Sequence, residues 1–153
     1  MRIIFIFLFF FVSFIQAQEV HKAVIDLRTG DISRFENSIL KGIPYVIETY
    51  RNKLEDLKVV VVAHGNSYKF FLKDLKNTPY EKEKNLIKKH KEIGERLKNL
   101  VKTYNVRFEI CEAGMRARKI PAEKLYPFVK PAPTALNSII YWQEKGYKYM
   151  LFD

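Results

Sequence analysis

The sequence predicts an α/β fold built on a mostly parallel sheet, and three observations carry that expectation. Strand-like and helix-like stretches alternate along the chain. The run 58-KVVVVAH-64 sets four consecutive valines between polar residues with no polar alternation, the habit of a strand covered on both faces. Glycine, asparagine and proline stops fall where one period gives way to the next.

The apolar run 23-AVIDL-27 reads as a first strand, closed by the turn cluster Arg28-Thr29-Gly30-Asp31. Ile32, Phe35, Ile39 and Ile43 then recur at helical spacing, with Asp31 or Ser33 able to cap the helix. Pro44 lies inside that pattern, where a missing N–H and a ring clash should kink the helix or end its first half. After the valine strand, Phe70, Phe71, Leu72 and Leu75 predict a short helix that ends near Asn77-Thr78-Pro79. From about Glu81 to Tyr104, Leu86, Ile93, Leu97, Leu100, Val101 and Tyr104 mark one apolar stripe among lysines and glutamates. This is a long surface helix, stopped at Asn105, and His90 on it is expected to face solvent.

Val106 to Cys111 reads as a third strand. A short helix near Met115 to Lys119 follows, then a stop at Pro121, another short helix through Leu125 and an extended piece at 128-FVKPAP-133. Thr134 caps a helix carrying Leu136, Ile139, Ile140 and Trp142, which Gly146 ends. The last stretch, 147-YKYMLF-152, is a strand.

The 153 residues suit one domain, and a hydrophobic fraction of 48% is enough for a buried core. Residues 1–17 stand apart. Arg2 precedes an apolar run from Ile3 to Ile15 and a small residue at Ala17, the pattern of a secretory signal peptide. The run is shorter than the roughly 20 residues a spanning helix needs, so membrane attachment is expected only if the segment stays uncleaved. The mature protein is then a single domain over residues 18–153, periplasmic or secreted. Without Arg2 the formal charge of +10 becomes +9. Because the lysines are spread along the chain, the excess favours small oxyanions or acidic surfaces in general, and export disfavours nucleic acid.

An exported chain with one cysteine makes no internal disulfide, so its stability rests on packing. That thiol sits in 106-VRFEICEAGMRARKI-120, where an apolar run meets small and basic residues. Ligands in open α/β sheets collect outside the carboxyl ends of the strands. Three such ends carry chemistry here: Asp26 to Asp31, His64-Gly65-Asn66, and Cys111-Glu112-Ala113-Gly114. Re-entry into a helix near Gly114 places Cys111 by a positive helix end, with Arg116, Arg118 and Lys119 close, while Glu112 opposes them. Cys111 is thus a candidate nucleophile, and equally a candidate inert packing residue. His64 is a candidate proton acceptor if the second and third strands are neighbours, and otherwise a structural hydrogen bonder. Gly65, Asn66, Gly114 and Arg116 are the candidate ligand-binding residues. His21, His64, His90 and Cys111 share no metal-ligand spacing, so neither a metal nor a cofactor is expected. Gln143, Gly146, Tyr147 and Tyr149 read first as core or subunit contact.

The segments 24-VIDLRTGD-31, 59-VVVVAHG-65, 106-VRFEICEAGMRARKI-120, Pro131-Ala132-Pro133 and 142-WQEKGYKYM-150 resemble, in that order, the DsrE/DsrF-like sulfur-relay family. The resemblance implies a five-stranded parallel sheet between helices, a three-layer sandwich, assembled as trimers or hexamers. It also implies that sulfur rides as a persulfide on a cysteine at the position of Cys111. Donor and acceptor proteins, or small anionic sulfur species, are the partners implied. A lone cysteine suits that role, since a second nearby thiol resolves a persulfide into a disulfide. Two other functions remain open: a non-catalytic oligomeric binding or thiol-sensing module, and a small-molecule-binding α/β domain.

Overall fold

The computed structural model describes residues 19–153; the segment read as a signal peptide lies outside the described residues. Five strands, β1 (Val20–Leu27), β2 (Asp56–Ala63), β3 (Arg107–Cys111), β4 (Val129–Ala132) and β5 (Lys148–Phe152), form one sheet in the order β4-β3-β2-β1-β5. Every pairing is parallel. The mostly parallel sheet expected from the valine run is therefore parallel throughout.

Register sorts the side chains. Leu27 pairs with Ala63 and Ala63 with Ile110, so these three share a face with Ile25, Val61 and Phe108. Helices α1 (Ile32–Phe35), α2 (Ile43–Arg51) and α3 (Lys84–Tyr104) pack on that side. The rings of Phe35, Phe70, Phe71, Phe108 and Phe128 run through this layer as one chain of contacts, with centroids 3.9 to 6.3 Å apart. The opposite face carries Val24, Asp26, Val62, Glu109 and Cys111, and is covered by α5 (Ala135–Glu144). Two helical layers thus enclose the sheet.

The local signals hold where a single residue sets the backbone. Asp31 accepts from Arg34 N at 2.7 Å to cap α1, and Thr134 accepts from Asn137 N at 3.1 Å to cap α5. Asn105 stops α3 with φ of 53°, the left-handed conformation that asparagine tolerates. Pro44 behaves differently from the expected break. Between α1 and α2 the helix widens into a π stretch, Glu36–Gly42, and Pro44 stands in the first turn of the regular helix that follows. A first-turn proline gives up only an N–H that has no regular α-helical partner. The helix runs on without a break. The short helix expected over Phe70 to Leu75 is instead a 3₁₀ turn at Ser67–Phe71, after which Leu72 is extended and bridges Leu125. Among the described residues no helix is long and apolar enough to cross a membrane.

Candidate functional site

The parallel register brings three strand ends together on the face that α5 covers. Asp26 is the penultimate residue of β1, His64 the first residue beyond β2, and Cys111 the last of β3. Ala63 pairs with Ile110, so the next residues along, His64 and Cys111, stand side by side at the ends of neighbouring strands. The condition set on His64 is met.

Asp26 is the buried centre of the group, only 1% exposed. Arg28 donates to its Oδ2 from Nη2 at 2.6 Å and from Nε at 3.2 Å, the Tyr149 hydroxyl donates to the same oxygen at 2.7 Å, and His64 Nε2 meets Oδ1. Burial alone would raise the carboxyl pKa, but the hydrogen bonds from Arg28, Tyr149 and His64 outweigh it and leave it below the ordinary value of 3.8. Asp26 is therefore ionised and can only accept. Nε2 of His64 carries a proton toward it, which leaves Nδ1 as the nitrogen free to take another. Tyr149 is held in return: its bond to Asp26 raises the phenol pKa.

The turn after β2 is fixed by close backbone contact. Gly65 adopts φ of 62°, and a Cβ there would stand 3.0 Å from the Arg28 carbonyl, to which Asn66 N donates at 2.8 Å. Gly30 faces the same constraint, since its Cβ would lie 2.8 Å from Cβ of Asn66. Gly65 and Asn66 thus hold the β1 and β2 ends together and set where His64 points.

Cys111 does not wait for a helix near Met115, because α4 (Glu112–Ala117) begins directly after it. The cysteine is itself the N-cap, and its Sγ accepts from Gly114 N at 3.5 Å. The residue is buried, with 8% of its surface exposed. Behind it, the buried Tyr68 hydroxyl donates to the Cys111 carbonyl at 3.2 Å, and burial, with the Cys111 side chain as the next cause, raises the phenol pKa. Gly114 makes room for this tyrosine, since a Cβ would fall 1.8 Å from the phenol oxygen. Gly114→Ala is therefore expected to lower stability by about 1–3 kcal/mol, as overpacking against a fixed ring does. A urea titration measures this, and an unchanged midpoint removes the packing role.

The two arginines that follow the thiol turn in different directions. Arg116 is 68% exposed and pairs with Glu112 at 3.5 Å along the outer face of α4. Arg118 turns inward instead. Its Nη2 donates to the Gly65 carbonyl at 2.6 Å, its Nη1 to the Gly114 carbonyl at 3.3 Å, and its guanidinium lies 4.7 Å from the Tyr68 ring centroid. Arg118 ties the His64 turn to the Cys111 helix. Two residues before the cysteine, Glu109 receives Arg107 Nε at 2.6 Å, Trp142 Nε1 at 3.1 Å and the Ser138 hydroxyl, which pins α5 over β3.

Among the described residues no hydrogen bond joins His64 to Cys111, and the imidazole is turned toward Asp26. The other histidines stand elsewhere. His21 lies at the start of β1, 3.2 Å from Glu55 and 3.7 Å from Glu19. His90, expected in solvent, is half-buried and donates from Nε2 to the Leu72 carbonyl at 2.7 Å. Sequence reasoning left out of the site Asp26 as a partner of His64, and Tyr149, and it chose Arg116 over Arg118 as the ligand-binding arginine. The weak signals for them were the acidic residue at a strand end and the aromatic residues of the final strand.

A family model described as DsrE/DsrF-like matches residues 31–152. An uncharacterized protein of Aquifex aeolicus is 30% identical over 131 residues, covering 86% of this chain and 56% of that protein. The chain thus spans little more than half the length of the curated relative it matches. Among solved structures, a protein of unknown function from Methanobacterium thermoautotrophicum superposes with a TM-score of 0.60 at 20% identity, over 86% of this chain and 99% of that one. At this identity the likeness is one of fold.

Proposed function

Because the chain belongs to the DsrE/DsrF-like family, we propose that it is an exported sulfur carrier or sulfurtransferase that holds sulfane sulfur as a persulfide on Cys111. The observation that carries this reading is the location of the single thiol, capped by the Gly114 amide and beside an Asp26–His64 couple on the same sheet face.

The chemistry needs no cofactor. His64 Nδ1 takes the thiol proton, and the thiolate attacks the outer sulfur of a donor persulfide. One S–S bond forms as the donor's breaks, and the donor leaves as a thiolate that recovers the proton. An acceptor thiolate then removes the carried sulfur by the same displacement, restoring Cys111. No electrons are gained or lost overall. Donor and acceptor proteins or small anionic sulfur species are the partners, gathered by the basic surface. Association into a homo-oligomer is part of the proposal. It is supported by the uncovered apolar side chains Leu136, Ile140 and Tyr141 on α5, with Tyr149 and Leu151 beside them on β5.

Intact mass of the exported protein after exposure to polysulfide tests the reading. One sulfur is expected to add and to leave on reduction, on a chain that starts at Gln18. An unreactive thiol under native conditions favours the non-catalytic assembly module. A start at Met1 removes the export claim, and sedimentation as a monomer removes the oligomer.

A further inference from the structure

On the other side of the sheet, beside the start of β4, a groove of about 660 Å³ runs between α3 and the residues Tyr126 to Phe128. Its size is that of a small-molecule site. One wall is aromatic: Tyr126 and Phe128 stack with centroids 5.2 Å apart and planes 5° from parallel, and His90 continues the stack 6.4 Å from Tyr126. The helix supplies the rest at helical spacing. His90, Gly94 and Val101 form an inner row, and Lys91, Glu95, Lys98 and Lys102 an outer one, with Lys73 across the groove.

Two features set this groove apart from an ordinary crease. Gly94 interrupts a 21-residue helix, at a cost of about 1 kcal/mol relative to alanine. Its vacant Cβ position lies 2.2 Å from the Tyr126 hydroxyl, so the glycine lets the phenol lie against the helix and line the groove. Burial, then the charge of Glu95, raises the Tyr126 pKa, so that hydroxyl remains a neutral donor. The charge is also one-sided. Lys73, Lys91, Lys98 and Lys102 face Glu95 alone, and among the described residues none of the four lysines makes an ion pair.

We propose that this groove is a binding site for a small organic anion with a planar apolar body, the ring system lying on the Tyr126–Phe128 wall and the acidic group meeting the lysine row. The site is independent of the sulfur chemistry, since Cys111 stands at the strand ends on the opposite face.

The probe that tests it is 8-anilinonaphthalene-1-sulfonate, followed by fluorescence with wild type, Cys111→Ser, Val101→Trp and the double variant Lys98→Glu/Lys102→Glu, all checked by thermal melts. Saturable one-site binding is expected, equal in wild type and Cys111→Ser. Charge reversal should weaken it about tenfold, equivalent to about 1.4 kcal/mol, and Val101→Trp should abolish it by filling the groove. N-phenyl-1-naphthylamine, the uncharged counterpart, should bind at least about tenfold more weakly. If Val101→Trp fails to fold, the double variant decides alone. No binding, including the case of a second copy seated in the groove, overturns the proposal. Binding that survives the variants locates the dye elsewhere and overturns it equally, and equal affinity for the neutral probe removes the anion.

Discussion

Cys111→Ser is expected to lose sulfur loading completely while leaving the fold intact. The two halves of that expectation have separate physical origins. Cys111 caps α4 through Sγ, and serine is a preferred residue at that position, its Oγ able to accept from Gly114 N. The shorter C–O bond leaves a small gap behind the side chain, so stability should stay within about 1 kcal/mol of wild type. The chemistry, by contrast, has no substitute, because the chain contains one cysteine and no other side chain forms a persulfide. Mass spectrometry after polysulfide treatment, read beside a urea titration, should therefore show an unmodified but folded protein. A reductant-sensitive sulfur still found on the serine variant would place the chemistry elsewhere and end the carrier reading.

That variant touches the part of the site most legible in the sequence. A thiol at the end of an apolar run, followed by small residues, needs only local pattern to be noticed. The same holds for β2, whose four valines have no polar face, and for the turn at Gly65, where a positive φ selects the residue. The α3 stripe of Leu86, Ile93, Leu97 and Leu100 was equally plain, and all four are buried. What stayed hidden depends on strand order or helix phase. Asp26 reaches His64 across 38 positions and Tyr149 across 123, contacts that exist only because β1 sits between β2 and β5. Arg116 and Arg118 look equivalent on the page, yet Arg116 lies within α4 (Glu112–Ala117) while Arg118 is its C-cap, and only the bounds of that helix decide which turns inward. His90 sat among lysines and so read as exposed. Its bond to the Leu72 carbonyl comes from an extended segment that the sequence pattern had assigned to a helix.

The hidden carboxylate carries the second large effect. Asp26→Asn keeps the shape but removes the charge that Arg28, Tyr149 and His64 all address, and it offers an amide N–H to groups that are already donors. Removing the charged acceptor from this cluster should cost about 1.5–3 kcal/mol at neutral pH, the range for hydrogen bonds to a charged group. The pH dependence distinguishes charge from shape. The pKa of Asp26 is lower folded than its ordinary value of 3.8, so its contribution is complete above that value and is lost as pH falls through the lower folded one. The stability gap between wild type and variant should thus be widest at neutral pH and close in acid. A gap that persists unchanged into acid would mean that packing, not the carboxylate charge, is being measured. Sulfur transfer should slow as well, by about tenfold to a hundredfold, because His64 loses the partner that keeps the proton on Nε2 and leaves Nδ1 free. Asp26→Glu, which restores the charge, should recover part of the rate. Were the Asn variant to lose stability with no change in transfer, Asp26 would be a structural residue only, and His64 would owe nothing to it.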